Sequence, residues 1–201
     1  MAAYTRVQEI LQQIRELNDE LHEHLREQQE KTYYQLKGKR IEFEAAIKAN
    51  HKRIKENLFR YIAKSQWRNL LSAPFIYGMV IPMLILDIGL FIYQQTCFRL
   101  YQIKRVKRSD YIVFDHHHLR YLNTIEKINC VYCSYGNGLF AYAREIGSLT
   151  EQYWCPIKHA KKVVSTHERY AGFLEYGDAE DYQHKISDLR KAIIVTDTEE
   201  K

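Results

Sequence analysis

The sequence FIYGMVIPMLILDIGLFIY, residues 75–93, decides how this chain is organised. It lies within a longer stretch, residues 69–98, in which Asp87 is the single charged side chain. As an α-helix, residues 75–93 would be about 28 Å long at roughly 1.5 Å per residue, which is close to the ~30 Å hydrocarbon core of a bilayer. The rest of the chain is polar enough to bring the mean hydropathy to −0.48. Residues 69–98 are therefore predicted to form one membrane helix.

Local signals place the ends and the irregularities of this helix. Ser72 is a suitable N-cap, and Pro74 suits a first turn, where its missing N–H costs nothing. Pro82 removes a backbone donor and presses on the carbonyl of Gly78, which predicts a kink between them. Asp87 would cost at least ~2.5 kcal/mol in the middle of a membrane if it were charged and unpaired. It is therefore expected to be protonated, paired or turned toward protein, and a helix–helix contact is expected there.

Both flanks of the apolar stretch are basic, so its orientation is left open. The preceding flank has six basic residues against Glu56, and the following flank has five before Asp110. Because basic residues are retained in the cytosol, a re-entrant or interfacial form with a break near 78–82 is favoured over a single pass. The C-terminal domain is expected in the cytosol in either case. The basic residues are Lys52, Arg53, Lys55, Arg60, Lys64 and Arg68 before the stretch, and Arg99, Lys104, Arg105, Lys107 and Arg108 after it.

Residues 1–68 are predicted to form an amphipathic helical arm, folded as a hairpin or paired between chains as a coiled coil. Thr5 and Gln8 have capping-box spacing, and Gly38 marks a break. Residues 1–31 carry four basic and seven acidic side chains, whereas residues 37–68 carry ten and three, so the two halves attract each other. Apolar residues recur at helical spacing in two stripes: Val7, Ile10, Leu11, Ile14, Leu17, Leu21 and Leu25, then Leu36, Phe43, Ile47, Ile54, Leu58 and Ile62.

The composition of the chain excludes some classes of protein and some partners. The chain has 201 residues, a formal net charge of +5, and only four cysteines, which excludes a disulfide scaffold. The basic residues adjoin the membrane stretch and have no aromatic–glycine recognition motif among them, so nucleic acid is not an expected partner. A basic juxtamembrane linker (residues 99–110) and a small α-rich cytosolic domain (111–201) complete the mainly α architecture. Tyr111–Phe114 is the best strand candidate, and Asp181–Val195 is predicted to be helical.

The C-terminal domain contains a candidate metal site. Cys130, Cys133, Cys155 and His159 have the spacing C-x2-C-x21-C-x3-H, and three thiolates with one imidazole complete a tetrahedral structural zinc shell. The prediction requires a turn at Gly136–Gly138, a returning helix over Leu139–Trp154, and a second helix beginning at Pro156. Packed reduced cysteines, a thiol-redox pair and an iron centre are the alternatives. Cys97 lies at the membrane boundary, outside this set.

Other residues suggest a catalytic alternative. One of the three residues His116–His118 would replace His159 as the fourth ligand, or form a second site with Asp115 and Glu126. Glu145 or Glu151 would then act as a base. A zinc catalyst needs an open coordination position, however, which the four-ligand set closes. The usual zinc-protease, phosphate-loop and serine-hydrolase motifs do not occur in the sequence.

Three strings, RVKRSDYIVFD (105–115), YLNTIEKINCVYC (121–133) and TEQYWCPIKHA (150–160), resemble an uncharacterised group of small bacterial membrane-associated proteins. The resemblance implies a bacterial inner-membrane protein and no particular reaction. The favoured function is a non-enzymatic, membrane-anchored zinc-binding scaffold or adaptor, in a homo-oligomer or a membrane protein complex. The alternatives are a metal- or thiol-dependent enzyme at the membrane surface and a redox sensor that uses Cys130 and Cys133.

Overall fold

Helices dominate the structure, as the sequence predicts. The computed structural model describes residues 2–30, 34–37, 40–43, 51 and 58–194. The chain divides into two compact units, residues 1–61 with 115–124, and residues 62–114 with the chain from 125 onward. The α-helices are α1 (Ala2–Glu30), α2 (Leu58–Lys64), α3 (Trp67–Gly78), α4 (Val80–Tyr93), α5 (Thr124–Trp154) and α6 (Tyr182–Lys191). Two strands, β1 (Tyr34–Lys37) and β2 (Arg40–Phe43), and shorter turns at Gln94–Phe98, Arg108–Asp110, His116–His118 and Glu168–Gly172 complete the elements.

The first unit contains α1 and the antiparallel hairpin β1–β2. The predicted helix over residues 5–31 is confirmed, but it begins at Ala2, so Thr5 lies inside it and is not its N-cap. The start of the second predicted stripe is wrong, because β1 and β2 pair Leu36 with Ile41 across a hairpin. Within such short strands, cross-strand pairing fixes the backbone, and helical spacing of a few apolar residues does not outweigh it. Ile47 and Ile54 of that stripe lie outside the described residues.

The second unit is built on a long apolar helix. Residues 67–98, which comprise α3, α4 and the π-helical turn Gln94–Phe98, form a helical span of 32 residues that is long and apolar enough to cross a membrane. We call residues 67–98 the apolar helix. Its regular hydrogen bonding is interrupted at Met79, whose backbone angles (φ −64°, ψ −12°) remain in the right-handed helical region. The irregularity near Pro82 is confirmed, whereas a reversal of the chain at 78–82 is wrong.

The start of the apolar helix also differs from the prediction. The helix begins at Trp67, so Ser72 and Pro74 both lie inside α3. The Ser72 hydroxyl donates a hydrogen bond to the Asn69 carbonyl one turn earlier (3.2 Å) and does not cap the helix. Residues 67–71 include no glycine or proline, which allows the helix to begin before Pro74.

The helix α5 runs beside the apolar helix in the same direction. The Tyr132 hydroxyl donates to the Ile76 carbonyl (2.8 Å), and further along, the hydroxyls of Tyr93 and Thr150 lie 3.0 Å apart. Gly136 lies against Met83 between these two contacts. Residue numbers rise together in both helices, so the two are parallel. A buried cluster joins them and contains Met83, Phe98, Ile103, Ile112, Leu139, Tyr142, Ile146 and Leu149.

The predicted turn at Gly136–Gly138 is wrong, because both glycines lie within the continuous 31-residue helix α5. Their role is to allow close packing. A Cβ at Gly138 would lie 2.5 Å from the Tyr111 carbonyl oxygen, and a Cβ at Gly136 would lie 3.2 Å from the Met83 sulfur. Gly136 and Gly138 therefore lie where a neighbouring part of the chain comes close to the helix, and not where the chain turns.

Residues 103–112 lead back along the groove between the apolar helix and α5, and we call them the return segment. Ile103 and Ile112 are buried in the groove. Tyr111–Phe114, predicted as a strand, has irregular backbone after the turn Arg108–Asp110. A strand needs a neighbouring strand, whereas the neighbours of this segment are helices. The predicted linker, residues 99–110, is thus partly packed against the helices.

The C-terminal residues close over the end of α5. Residues 155–159 are not helical as predicted, because Ile157 forms a parallel bridge with Leu174, and Lys158 N–H donates to the Leu174 carbonyl (2.7 Å). The last predicted helix is confirmed over Tyr182–Lys191, where Ile186 is buried. Ile194 pairs with Ile103 as an isolated bridge, which anchors the end of the described chain to the return segment.

Candidate membrane-contact face and the polar seam behind it

One face of the apolar helix is apolar and exposed. Ile81 and Ile85 are 64% and 67% exposed, and within α4, Met83 is the buried residue. Because residues three and four apart share a helical face, the exposed isoleucines form one continuous stripe. We call this stripe, Ile81, Ile85, Ile88 and Ile92, the outer face.

The opposite face carries the polar side chains of the helix. The Arg108 guanidinium, from the return segment, binds the Asp87 carboxylate through two nitrogens, at 2.7 Å (Nη2–Oδ2) and 3.1 Å (Nε–Oδ1). The Tyr135 hydroxyl of α5 donates to the same Oδ2 atom (3.0 Å). The Asp87 side chain is 15% exposed. The expectation that Asp87 is paired and faces protein is confirmed.

A second polar contact lies about two turns further along the same face. The buried Gln94 amide nitrogen donates to the Tyr142 hydroxyl (2.5 Å), and its oxygen accepts the Val106 backbone N–H (2.8 Å). Burial raises the pKa of Tyr142, and burial together with the Asp87 hydrogen bond raises that of Tyr135. Both phenols therefore stay neutral donors or acceptors. We call Asp87, Gln94, Arg108, Tyr135 and Tyr142 the polar seam.

The apolar helix is thus inverted relative to a surface helix of a water-soluble domain. Such a helix turns its apolar stripe inward and its polar face to water. Here the polar seam is packed against protein, and the outer face is exposed. Large contiguous apolar surfaces of this kind mark contacts with membranes or other proteins.

The predicted zinc ligands are not brought together. Cys130 and Cys133 lie one turn apart on α5, half-buried and exposed respectively, while Cys155 and His159 lie beyond its other end. Helix α5 separates the pairs by roughly 30 Å at 1.5 Å per residue, whereas zinc ligands lie about 2–2.3 Å from the ion. Among residues 2–30, 34–37, 40–43, 51 and 58–194, no group of three or more His, Cys, Asp or Glu side chains could hold one metal ion.

The predicted histidine ligands and the predicted bases Glu145 and Glu151 contact neighbouring side chains. His116 lies 3.2 Å from Asp115, and the rings of His117 and His118 are 3.9 Å apart in a 3-10 turn. Glu145 pairs with Arg169 (2.5 Å), and Glu151 binds His167 (2.9 Å). These two carboxylates fasten the chain after residue 165 to α5, which accounts for them without a catalytic role.

The separation of Cys130 and Cys133 from Cys155 and His159 leads to a prediction about metal content. Because His159 is far from Cys130 in one chain, we expect His159→Ala to contain as much zinc per chain as the wild type. Cys130→Ser is the comparison variant, and elemental mass spectrometry of both purified proteins is the measurement. One zinc per chain in the wild type, lost equally from both variants, would contradict this arrangement of α5.

No protein-family model, no curated protein and no solved structure matches this chain. The resemblance to bacterial membrane-associated proteins therefore stays a prediction, and the function is argued from the residues themselves.

Sequence reasoning singled out Asp87 but missed its partners. In the sequence Arg108 is one of several flanking charges, and Tyr135 and Tyr142 belong to no recognised motif. One signal was present, since residues 128–143 of α5 carry no charge. A charge-free stretch with a tyrosine every few residues indicates a helix that packs against an apolar neighbour and donates hydrogen bonds to it.

Proposed function

We propose that this protein is a membrane-anchored, non-enzymatic scaffold. The single observation that carries the proposal is the inverted apolar helix, with its isoleucines outside and Asp87 and Gln94 inside. Burying such an apolar face in a bilayer is favourable by roughly 25 cal/mol per Å² of apolar surface removed from water. The predicted bacterial inner membrane and cytosolic C-terminal domain belong to this proposal. Zinc is not needed for it, because hydrophobic packing and hydrogen bonds hold the described part of the C-terminal region together.

The lipid contact is tested by adding charge to the outer face. We expect Ile85→Glu to lower partitioning into vesicles of phosphatidylglycerol and phosphatidylethanolamine about tenfold, which corresponds to roughly 1.4 kcal/mol. Partitioning is measured by flotation. The matched control is Val164→Glu, which places the same charge at an 86% exposed residue away from the apolar helix. Equal loss in both variants, or no partitioning of the wild type, would count against a lipid anchor.

The scaffold part of the proposal is supported by α1. Its exposed apolar residues include Ile10, Ile14, Leu17, Leu21 and Leu25, and the first four have spacings of four, three and four. This is the a/d spacing of a coiled coil, whose seam is covered by a second helix. We propose that a second copy of this chain supplies that helix, so that α1 joins membrane-anchored chains.

Self-association is expected to depend on the stripe of α1 and not on the helix as a whole. Leu17→Glu should shift the full chain in mild detergent toward the monomer, because it places a charge in the seam. Gln12→Glu adds the same charge at an exposed residue on the side of α1 opposite the stripe and should leave the association unchanged. Sedimentation equilibrium is the measurement, and a wild type that is monomeric at micromolar concentration would refute the coiled coil.

A further inference from the structure

The way α5 accompanies the apolar helix constrains how the protein can sit in a membrane. Asn129 and Tyr132 of α5 are bonded to Tyr77 and the Ile76 carbonyl, and Tyr142 is bonded to Gln94. Along this distance the two helices lie side by side, so if the apolar helix crossed a bilayer, each part of α5 would be at the same depth as the part of the apolar helix that it contacts.

Parallel neighbours require the chain between them to return over the same distance. Here the connection runs from Phe98, at the end of the apolar helix, to Thr124, where α5 begins, and it is mostly non-helical. Its first part, residues 99–114, belongs to the same compact unit as the apolar helix and carries Arg99, Lys104, Arg105, Lys107, Arg108 and Asp110. If the apolar helix crossed a bilayer, this polar and irregular chain would have to cross it too. Irregular backbone exposed to lipid does not occur in hydrocarbon, and charged side chains there are strongly unfavourable.

The return segment also lies beside the middle of the apolar helix. Arg108 binds Asp87, which is ten residues or more from either end of the span, while the neighbouring Lys104, Arg105 and Lys107 are exposed. The side of the helix that carries the return segment must therefore be in contact with water or headgroups along much of its length. The opposite side carries the outer face, and Leu84 and Phe91 of the same helix are exposed as well. Water therefore lies along one side of the helix and lipid along the opposite side, whereas in a spanning helix water lies at the two ends.

Charge identifies the surface that fits this arrangement. Lys64 and Arg68 precede the helix, Arg99 follows it, and all three are exposed, so both ends as well as the return segment are basic. Juxtamembrane basic residues are attracted to an anionic leaflet. Helices that combine a basic side with an apolar face lie in the interface, with the apolar face about 5–10 Å deep.

We infer that the apolar helix does not cross the membrane but lies in the plane of an anionic leaflet, with the outer face in the acyl chains and α5 on the aqueous side. This inference rests on the proposed lipid anchor and specifies its topology. The residues before and after the helix are then on the same side of the membrane, which the basic residues on both flanks require. The helix then enters one leaflet only, and its length of 32 residues does not have to match the thickness of the bilayer.

Spin labels on the outer face measure this topology directly. Labels are attached at Ile81→Cys, Ile85→Cys or Ile92→Cys, in full-length protein whose native cysteines are replaced by serine and whose helix content and flotation match the wild type. Depth in the phosphatidylglycerol vesicles is read from the ratio of oxygen to nickel-chelate accessibility. We expect the three depths to agree within a few Å. In a spanning helix, Ile81 and Ile92 would differ by about 16 Å along the axis.

Trypsin digestion gives a second reading on the unmodified protein. Wild-type chain added to preformed sealed vesicles should be cut both before the apolar helix, near Lys64 and Arg68, and after it, near Lys104. Protection of either side, or a 16 Å depth difference, would overturn the in-plane topology and leave the lipid anchor intact. Labels fully accessible to the aqueous nickel chelate would refute the anchor as well. Labels shielded from both reagents and coupled to each other would show that a second copy covers the outer face, which also overturns the inference.

Discussion

Gly138→Ala is expected to lower the free energy of unfolding by about 2 kcal/mol, although alanine is the better helix former by roughly 1 kcal/mol. The new Cβ would lie 2.5 Å from the Tyr111 carbonyl oxygen and within 3.0 Å of two Ile112 atoms. Overpacking of this kind typically costs about 1–3 kcal/mol. Because the obstacle is backbone, it moves only if the return segment shifts out of its groove.

Gly147→Ala is the matched control on the same helix. A Cβ there meets no described atom within 4 Å, so the variant is expected to gain roughly 0.5–1 kcal/mol from helix propensity alone. Gly136→Ala should fall between the two, since its neighbour is the flexible Met83 side chain at 3.2 Å. Chemical denaturation in mild detergent, followed by circular dichroism, gives the three values. A stabilised Gly138→Ala variant would show that the return segment does not pack against α5.

The two glycines show where sequence reasoning succeeds and where it fails. The length and composition of residues 69–98 are sufficient to predict the apolar helix, because every residue contributes to the same signal. A Gly-Asn-Gly sequence is compatible both with a turn and with a close contact between helices. The choice depends on Met83 and Tyr111, which lie 53 and 27 residues from their glycines, and local patterns contain no information about them.

The four predicted zinc ligands are held apart in this structure for the same reason. Its spacing brings four ligands together only if the chain turns between Cys133 and Cys155, and the continuous α5 instead holds the two pairs apart. The residues between them, from 139 to 154, are good helix formers, and helix is indeed what the sequence predicted there. A single turn assigned before that helix is enough to bring the Cys130–Cys133 pair and the distant Cys155–His159 pair into one predicted centre.

The sequence predicts that Asp87 needs a partner, but it does not predict that this partner is Arg108. A single acid among twenty-nine uncharged neighbours requires a partner wherever it is buried. Five basic residues follow within 21 positions, and the sequence does not distinguish among them. The choice of Arg108 follows from the return segment, whose direction is set by Ile103 and Ile112 entering the groove. A planar guanidinium is also the cation that binds a carboxylate through two nitrogens.

Arg108→Leu is expected to destabilise the fold by about 2 kcal/mol, because it leaves the Asp87 carboxylate largely buried with Tyr135 as its remaining partner in the polar seam. Breaking a fully buried pair costs roughly 3–5 kcal/mol. The lower value is expected here because the Arg108 side chain is 46% exposed, so water partly compensates the loss. Lys107→Leu is the matched control, since it removes the same charge from the neighbouring exposed position.

The double variant Asp87→Leu/Arg108→Leu separates pairing from packing. Replacing both partners of such a pair by apolar groups is often nearly neutral, so we expect the double variant to be more stable than Arg108→Leu alone. Denaturation of the four proteins of this cycle gives a coupling energy of at least about 1 kcal/mol. Additive losses would mean that each side chain stabilises the fold independently. A coupled pair means instead that Asp87 holds the basic return segment against the apolar helix, and thereby fixes which side of that helix is left for lipid.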